Sequence, residues 1–513
     1  MAAEVRPVGT PRLLALLAGL ALPAMAAEGG GEGGGRTGLF VQPRISAGVT
    51  LTDNLRPGVG TPGAEDRAII TQLSAGLALR KDSGPVRGSL DYSLSGLGYL
   101  KTEEKSRLQN NLQAQGMAEW LDGRLILNGV ASIGQQAQSV FSPLPSSSTG
   151  SSQNQVEVAS IMLRPELRGS VGQLFGYRLS AGVGETRARK TDQGDGSQRD
   201  ATLTINGLRG GELNWSLNAL ARRADVTQGR NTREAQLTFG LAWRPDVDVS
   251  LGVNGGRERN NMISEDQRTD TTYGGDFLWT PTPRTRVQGN WQQHLYGASH
   301  EFRLEHRLAR SALRYTHATG VSSGGGLAAP TAPDWATLLD LQLQARIPDP
   351  AQRAQWIDQF LRTNGLDPKA TPGGLLASTA SRTQRQEFSA SWEGQRLSAV
   401  FGVSRNRTQR LSDLPVSGND DLSRSRSILQ HGLNLALSYK LTPLTSLTGS
   451  AAWQRSSGDT SALSSDLKSL SAGVSVRLGP STTLLVNARK AKYTNPTQPY
   501  DEHALSFLLT QLF

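Results

Sequence analysis

The most constraining feature of this chain is an alternation of apolar and polar residues that recurs along most of its length. Leu470, Ala472 and Val474, for example, alternate with Ser471 and Gly473. Successive side chains of a β-strand point to opposite faces, so each such segment predicts a strand with one apolar and one hydrophilic face. Clusters of turn-forming residues separate the segments. The pattern therefore favours an all-β fold.

Alternation alone does not separate a soluble β-sandwich from a membrane barrel, because both have strands with one apolar face. The length of the segments favours the barrel, since each stays near the roughly ten residues with which a tilted strand crosses a bilayer. Aromatic residues also cluster near the predicted strand ends, where a barrel places its interfacial girdle. These residues are Trp120, Trp243, Trp279, Tyr439 and Trp453.

The connections alternate between short and long. Tight turns are predicted at 121–123, 209–211, 244–246, 280–283, 442–444 and 479–481, and longer polar loops at 139–153, 189–198, 259–267 and 409–424. Short turns at one end and long loops at the other are typical of outer-membrane barrels. We therefore predict one all-β transmembrane antiparallel β-barrel over residues 39–513. Its strand number is about 22, within a range of about 18 to 24, and a break at 309–311 makes the total even.

Composition agrees with a barrel rather than a helical membrane protein. Hydrophobic residues make up 37% of the chain, and no apolar run after residue 25 approaches the ~20 residues of a membrane helix. The chain has no cysteine, which removes disulfides and thiolate zinc sites. The net charge of +10 is spread along the chain among acidic residues, so it fits a polar lumen and predicts no nucleic-acid partner.

Residues 1–26 predict a secretory signal peptide. Arg6 and Arg12 precede an apolar run too short to span a membrane, and the small residues Ala24 and Ala26 flank the expected cleavage site. Residues 27–38 are rich in glycine and are expected to form a flexible N-terminus. We expect export to the outer membrane of a Gram-negative bacterium, with outer-membrane lipid and the barrel-assembly machinery as partners.

The alternation stops between residues 322 and 379, which predicts one short helical insertion that plugs or caps the barrel. Residues 334–347 are compatible with a first helix. Asp349 as N-cap and Pro350 at the first helical position predict the start of a second helix, which Gly365 ends. The apolar stripe of this helix must be buried in a partner, on the lumen wall or on the preceding helix. The stripe consists of Trp356, Ile357, Phe360 and Leu361.

Two short stretches resemble a known family. They are residues 347–366, IPDPAQRAQWIDQFLRTNGL, and Thr52-Asp53-Asn54 after the first predicted strand. Both resemble outer-membrane β-barrels of unknown function that are associated with the PEP-CTERM/exosortase protein-sorting system and with exopolysaccharide gene clusters. The resemblance implies a link to surface polysaccharide or extracellular matrix. It carries over no catalytic residue.

No motif in the sequence predicts catalytic, cofactor-binding or metal-binding residues. The G-x-G-x-x-G match at 58–63 contains Pro62 and lies in a predicted loop, away from any strand-turn-helix unit. Four of the six histidines fall in one stretch, His294, His300, His306 and His317. We predict that they lie on different faces, at the membrane interface or in the lumen, rather than around a metal ion.

One predicted strand carries a ladder of both charges, Glu301, Arg303, Glu305 and Arg307. Such charges either pair across the lumen or line a wide channel whose guanidinium groups hydrogen-bond an acidic or hydroxyl-rich polymer. The leading hypothesis is a pore or assembly component in export of exopolysaccharide or matrix material, with polysaccharide and periplasmic export components as partners. A structural or adhesive surface protein with a closed lumen is the alternative. An outer-membrane enzyme acting on polysaccharide or lipid is a third hypothesis.

The last predicted strand ends in an aromatic residue. Leu505, Phe507, Leu509 and Phe513 share one face of it. The strand resembles the signal by which the assembly machinery recognises outer-membrane barrels, although Gln511 stands where an apolar residue is usual.

We predict that removal of Phe513 impairs membrane insertion, because the terminal aromatic residue completes this signal. Insertion is measured by comparing the gel migration of boiled and unboiled membrane fractions, since a folded barrel migrates differently from its unfolded chain. Normal insertion without Phe513 would show that the segment is an ordinary strand.

Overall fold

The computed structural model shows a closed β-barrel of 22 antiparallel strands. It describes residues 38–56, 66–143, 147, 149–208, 211–324, 335–344, 346–347, 353, 356–357, 360–361, 376–412, 414 and 419–513. The predicted signal peptide and residues 27–37 of the glycine-rich segment lie outside the described residues. The predicted fold class and strand number are confirmed.

The first half of the barrel consists of β1 (Leu39–Thr52), β2 (Ala68–Lys81), β3 (Val86–Leu100), β4 (Arg107–Trp120), β5 (Leu125–Ala137), β6 (Gln155–Val171), β7 (Phe175–Ala188), β8 (Gly196–Gly207), β9 (Leu213–Val226), β10 (Thr232–Asp246) and β11 (Val249–Asn260). The second half consists of β12 (Arg268–Thr282), β13 (Thr285–His294), β14 (Gly297–Arg307), β15 (Ser311–Ser322), β16 (Ser381–Glu393), β17 (Leu397–Arg410), β18 (Ser427–Lys440), β19 (Thr445–Ser457), β20 (Ser464–Arg477), β21 (Thr482–Thr494) and β22 (Tyr500–Leu512). Among the described residues, two helices with defined bounds interrupt the series, α1 (Trp335–Leu343) and α2 (Asp421–Arg424). Among the described residues, no helix is both long and apolar enough to span a membrane.

The barrel closes between its first and last strands. β1 and β22 pair antiparallel, with Thr52 opposite Ala504, and the Phe513 N–H donates to Pro43 O at 3.0 Å. The other strands pair with the strands before and after them, as β2 does with β1 and β3. Closure leaves no strand edge without hydrogen-bond partners, which is the condition for a sheet to lie in a bilayer.

The predicted alternation separates the outer and inner faces. On β22, Leu505, Phe507 and Leu509 are exposed on the outer surface, whereas Glu502 and Ala504 are buried toward the lumen. The predicted insertion signal therefore lies on the face that contacts lipid, with Phe513 exposed beyond the end of the strand.

The connections define two ends of the barrel, which we call the turn end and the loop end. The turn end carries short connections such as 121–124, 308–310 and 441–444, and it includes the start of β1 and the end of β22. The loop end carries the longest connections, at 138–154, 323–380 and 411–426. The turn at 308–310 divides β14 from β15 at the predicted break.

An aromatic girdle marks the turn end. Trp120, Trp243, Trp279 and Tyr439 lie beside its short turns and are exposed, as expected for side chains at a membrane interface. Trp453 instead lies inside β19, and its Nε1 donates to Asp466 at 3.0 Å. The predicted position near a strand end is therefore correct for the first four residues and wrong for Trp453.

We predict that Leu73→Arg destabilises the inserted barrel by about 2–4 kcal/mol, because it places a charge near the middle of the apolar outer band. Leu73 is 64% exposed on β2. Val247→Arg is the matched control, since Val247 is 96% exposed in a turn-end connection and its substitution should cost less than about 0.5 kcal/mol. Urea titration of vesicle-inserted protein measures both changes, and equal effects would contradict the assignment of Leu73 to the lipid face.

Candidate functional site

The described helical residues between β15 and β16 lie inside the lumen. β15 ends at Ser322 at the loop end, yet Gln342 of α1 donates from Nε2 to Arg310 O at 3.2 Å, in a connection of the turn end. Helix α1 therefore lies near the turn end, although β15 ends at the loop end. Because α1 packs against residues of the inner wall, it forms a plug inside the lumen rather than a cap outside it.

A compact apolar cluster seats this plug on the wall. α1 contributes leucines that are almost fully buried, and the helical residues that follow contribute two more apolar side chains. The wall contributes small or β-branched side chains, which leave room for the helices. Each buried leucine contributes on the order of 1.5–3 kcal/mol. The members are Leu338, Leu339, Leu343, Ile357 and Leu361 of the plug, and Ala312, Val400 and Ala436 of the wall.

The described residues of the predicted second helix are helical, namely Arg353, Trp356, Ile357, Phe360 and Leu361. Ile357 and Leu361 are buried in the apolar cluster, and the rings of Trp356 and Phe360 stack with centroids 5.1 Å apart. The stripe is thus buried against both α1 and the wall. Three predicted end residues lie outside the described residues: Asp349, Pro350 and Gly365.

Polar contacts hold the plug together but attach it to the wall only weakly. Arg353 Nε lies 2.5 Å from Asp340 Oδ1 of α1, and its Nη1 donates to Ile347 O at 2.7 Å. Arg346 pairs with Glu393 at the end of β16, but the Arg346 side chain is 62% exposed. An ion pair in contact with water contributes about 0–1 kcal/mol. The polar contacts therefore tie the plug more strongly to itself than to the barrel, and its attachment to the wall rests mainly on the apolar cluster.

A basic cavity of about 410 Å³ lies between the plug and the wall at the turn end. Its lining combines residues of the turns, the strand ends and the plug. Guanidinium groups present several N–H donors in a fixed plane, which suits carboxylate, phosphate and hydroxyl oxygens. The charged lining residues are Arg284, Arg307, Arg310, Arg346 and Lys440, with Glu393 as the acidic member.

The predicted charge ladder of β14 faces the lumen, and its charges are largely compensated. Arg303 Nη2 lies 2.5 Å from Glu301 Oε1, and Glu305 lies 3.5 Å from Arg314 of β15. Arg307 lines the basic cavity. Glu301, Arg303 and Glu305 of the ladder are therefore paired wall charges. Arg307 is the one ladder residue that lines a cavity a ligand could enter.

Other lumen charges also pair, either between adjacent strands or across one intervening strand. The distances between the charged atoms range from 2.7 to 3.4 Å. Pairing offsets the cost of placing charges on a partly buried wall. The pairs are Arg44–Asp91, Arg164–Asp200, Arg222–Glu234 and Arg489–Glu502.

A second closure lies at the loop end. Loop 138–154 extends from β5 to the wall formed by β20 and β21, where Tyr493 Oη donates to Phe141 O at 2.9 Å. Asn495 Nδ2 donates to the same oxygen at 2.7 Å, and the Ser465 hydroxyl donates to Val140 O at 2.8 Å. Val140 and Phe141 are buried with apolar residues of 376–428. The loop thus covers the mouth.

Two adjacent aspartates fasten this closure. Asp421 of α2 accepts from Ser139 Oγ and from the Val140 N–H, both at 2.7 Å. Asp420 caps α2 and accepts from the Ser378 N–H at 2.6 Å. Loop 138–154, α2 and residues 376–380 are therefore joined in one unit, which we call the latch.

A buried pair in the lumen wall was not predicted from the sequence. Glu258 is 1% exposed; its Oε2 lies 2.7 Å from His294 Nδ1, and its Oε1 accepts from the Leu295 N–H. His294 Nε2 lies 3.1 Å from Ser299 Oγ. This is the order of a hydrolytic triad, but the carboxylate also holds the backbone of the 295–296 turn, and Tyr296 stacks on the imidazole ring. The contacts therefore stabilise the turn between β13 and β14. The three side chains come from β11, β13 and β14, so their spacing in the sequence does not predict that they meet.

The clustered histidines correct one expectation. His294 faces the lumen, whereas His300, His306 and His317 share the outer face of β14 and β15, so the predicted distribution over different faces is wrong for these three. Pairing of the two strands brings His300 Nε2 within 3.2 Å of His317 Nε2. Among the described residues, no group of three or more side chains is arranged to hold a metal ion.

We predict that acidification tightens the latch. Burial raises the pKa of Asp421 above its ordinary value of 3.8, although the bonds from Ser139 and Val140 and the charge of Arg424 oppose the rise. Because the pKa is higher in the closed latch than in an open, hydrated one, protonation favours closure. The extra stability is complete below about pH 4 and is lost as the pH rises through the raised pKa.

Hydrogen exchange of loop 138–154, corrected for the intrinsic pH dependence of exchange, should therefore slow as the pH falls from about 7 to about 4. Asp421→Asn should remove this dependence, whereas Asp192→Asn in the exposed loop between β7 and β8 should retain it. A dependence that persists in Asp421→Asn would assign it to another group.

No protein-family model and no curated protein matches the sequence. Among solved structures, the chain is similar to the FrpB iron transporter from Neisseria meningitidis, with 9% identity, 92% of this chain and 81% of that chain covered, and a TM-score of 0.49. It is also similar to BauA, the ferric preacinetobactin receptor from Acinetobacter baumannii, with 11% identity, coverage of 92% and 80%, and a TM-score of 0.44. For OccAB1 from Acinetobacter baumannii the values are 8% identity, coverage of 93% and 96%, and a TM-score of 0.34.

Proposed function

We propose that this chain is a gated pore or assembly component for export of exopolysaccharide or extracellular matrix material across the outer membrane of a Gram-negative bacterium. The observation that carries the proposal is the basic cavity beside the plug at the turn end. An even-stranded barrel places both termini in the periplasm, so the turn end is the periplasmic mouth. A polymer leaving the periplasm would meet this cavity first.

The chemistry of the cavity favours a polymer with acidic or hydroxyl-rich units. Arg307 and Arg310 present donors from the wall, and Arg346 presents donors from the plug. A polymer that binds the guanidinium group of Arg346 competes with Glu393 for it. Binding would thereby weaken a contact between plug and wall, which couples recognition of the polymer to movement of the plug.

The family resemblance of residues 347–366 points in the same direction, because it links the plug sequence to barrels of the PEP-CTERM/exosortase system and to exopolysaccharide gene clusters. The partners proposed are the polysaccharide, periplasmic export components, outer-membrane lipid and the barrel-assembly machinery. No enzymatic step is proposed for the chain.

One observation favours the alternative, a structural or adhesive surface protein with a closed lumen. The lumen is obstructed twice, by the plug at the turn end and by the latch at the loop end. In this alternative, the exposed loops bind matrix and nothing crosses the barrel.

Conductance in planar bilayers separates the two functions. We predict that the intact protein and either single variant, deletion of residues 334–366 or Asp420→Ala with Asp421→Ala, conduct little, because each single variant keeps one closure. The combined variant should form a stable open pore, because both closures are gone. Heat-modifiable migration confirms that each variant is a folded barrel.

A folded combined variant that passes no current would overturn the pore and support the closed surface protein. For the exported polymer, block of this current by an acidic polysaccharide added at the turn end, but not by a neutral dextran of equal size, is the expected result. Replacing Arg307 and Arg310 with glutamine should weaken the block.

A further inference from the structure

The outer surface of β8 to β11 carries a group of arginines near the loop end. Their side chains are exposed, and along each strand they continue the row of outward apolar residues such as Ala221, Leu237 and Val253. We call this group the arginine patch: Arg199, Arg223, Arg233, Arg257 and Arg259.

Strand pairing places several of these arginines directly beside one another. Arg199 of β8 is opposite Arg223 of β9, and Arg223 is opposite Arg233 of β10. Side chains that are directly opposite in an antiparallel pair have Cβ atoms about 4.5–5.5 Å apart, and like charges at that distance destabilise the pair. An anion bound beside this row of three neighbouring cations would therefore reduce their mutual repulsion.

Acidic side chains of the protein compensate little of the positive charge of the arginine patch. Arg223 is paired with Asp225 at 3.0 Å, whereas Arg199, Arg233, Arg257 and Arg259 have no acidic partner among the residues that the structure describes. The inner face of the same strands is different, because Arg222 lies 3.4 Å from Glu234. Near the loop end, the described inner arginine of these strands is thus paired, whereas four of the five patch arginines on the outer face have no acidic partner in the described part of the chain.

The height of the patch places it at the far boundary of the bilayer. Leu251 is opposite Trp243 of the turn-end aromatic girdle. At roughly 3.4 Å per residue, the segment from Leu251 to Arg259 is about 27 Å long. A strand tilted by roughly 40° raises Arg259 about 21 Å above the girdle, close to the height of ~25 Å typical of an apolar band. The arginines therefore lie at the level of lipid headgroups at the loop end.

We propose that the arginine patch binds the phosphate groups of an anionic lipid in the leaflet at the loop end. Guanidinium groups bind phosphate oxygens in a bidentate manner, and a row of them can hold two phosphates of one headgroup or of neighbouring lipids. The acyl chains of such a lipid lie along the outward apolar residues below the patch. The bound phosphate removes the repulsion between the paired arginines, so lipid binding stabilises the sheet from β8 to β11. This site is independent of the proposed pore, because it lies on the opposite face of the wall.

Binding can be measured by native mass spectrometry of the full chain in neutral micelles that contain phosphatidic acid, whose headgroup is a phosphate monoester, or phosphatidylcholine. The wild-type protein should retain phosphatidic acid in preference to phosphatidylcholine. The variant R199Q/R233Q/R259Q should bind phosphatidic acid 10- to 100-fold more weakly, an order-of-magnitude expectation from the loss of three cations near the headgroups.

The matched control is R124Q/R244Q/R396Q, which removes the same charge from exposed turn-end residues outside the basic cavity and should bind like the wild type within about 2-fold. If the triple patch variant does not fold, the pair R199Q/R259Q replaces it. Equal weakening in patch and control variants, or no preference for phosphatidic acid, overturns the proposal. Displacement of the lipid by millimolar inorganic phosphate also overturns it, because the patch would then be a site for free anions.

Discussion

The structure depends on one constraint, which is that backbone N–H and C=O groups have no water to bond with inside a bilayer. A sheet meets it only by closing, and here β1 and β22 close the ring. With 22 strands the ring is wide, because barrel diameter grows with strand number. Satisfying the backbone in this way therefore produces a wide lumen, which the chain either fills or leaves open.

The chain fills the lumen with local closures rather than a continuous core. Several apolar residues of the inner wall lie where a closure is seated. Ala312, Val400 and Ala436 receive the plug, and Ile428 receives the latch. Different interactions hold the two closures in place. The plug is held mainly by apolar burial with weak polar attachment, whereas the latch is held by hydrogen bonds to Asp420 and Asp421.

The barrel could be read from the sequence because its determinants are local. Alternation along a single strand, such as Leu505 to Leu509, reports which face contacts lipid, and the turn at 308–310 follows from the residues beside it. The insertion is visible for the same reason, since the helical spacing of Trp356 and Phe360 departs from the strand period. The position of the insertion in the lumen could not be predicted from neighbouring residues, because it depends on small wall residues that are distant in sequence.

The latch and the Glu258–His294 pair could not be predicted for the same reason, as their partners meet only through the register of the closed sheet. The histidines illustrate the error that results. Their spacing within one stretch does not reveal that the turn after His294 reverses the chain and that β14 and β15 bring His300 beside His317. Face assignment by counting holds within a strand, but it fails across a turn until the register is known.

The distribution of charge separates the two sides of the wall. On the inner face, pairs such as Arg164–Asp200 and Arg222–Glu234 compensate one another, so the middle of the lumen is polar without strong net charge. Uncompensated arginine is found instead at the basic cavity of the turn end and on the outer patch near the loop end. The first position is reached from the aqueous mouth and the second from the membrane. Two anionic ligands can therefore act on one barrel without competing, since they approach from different solvents and at opposite ends.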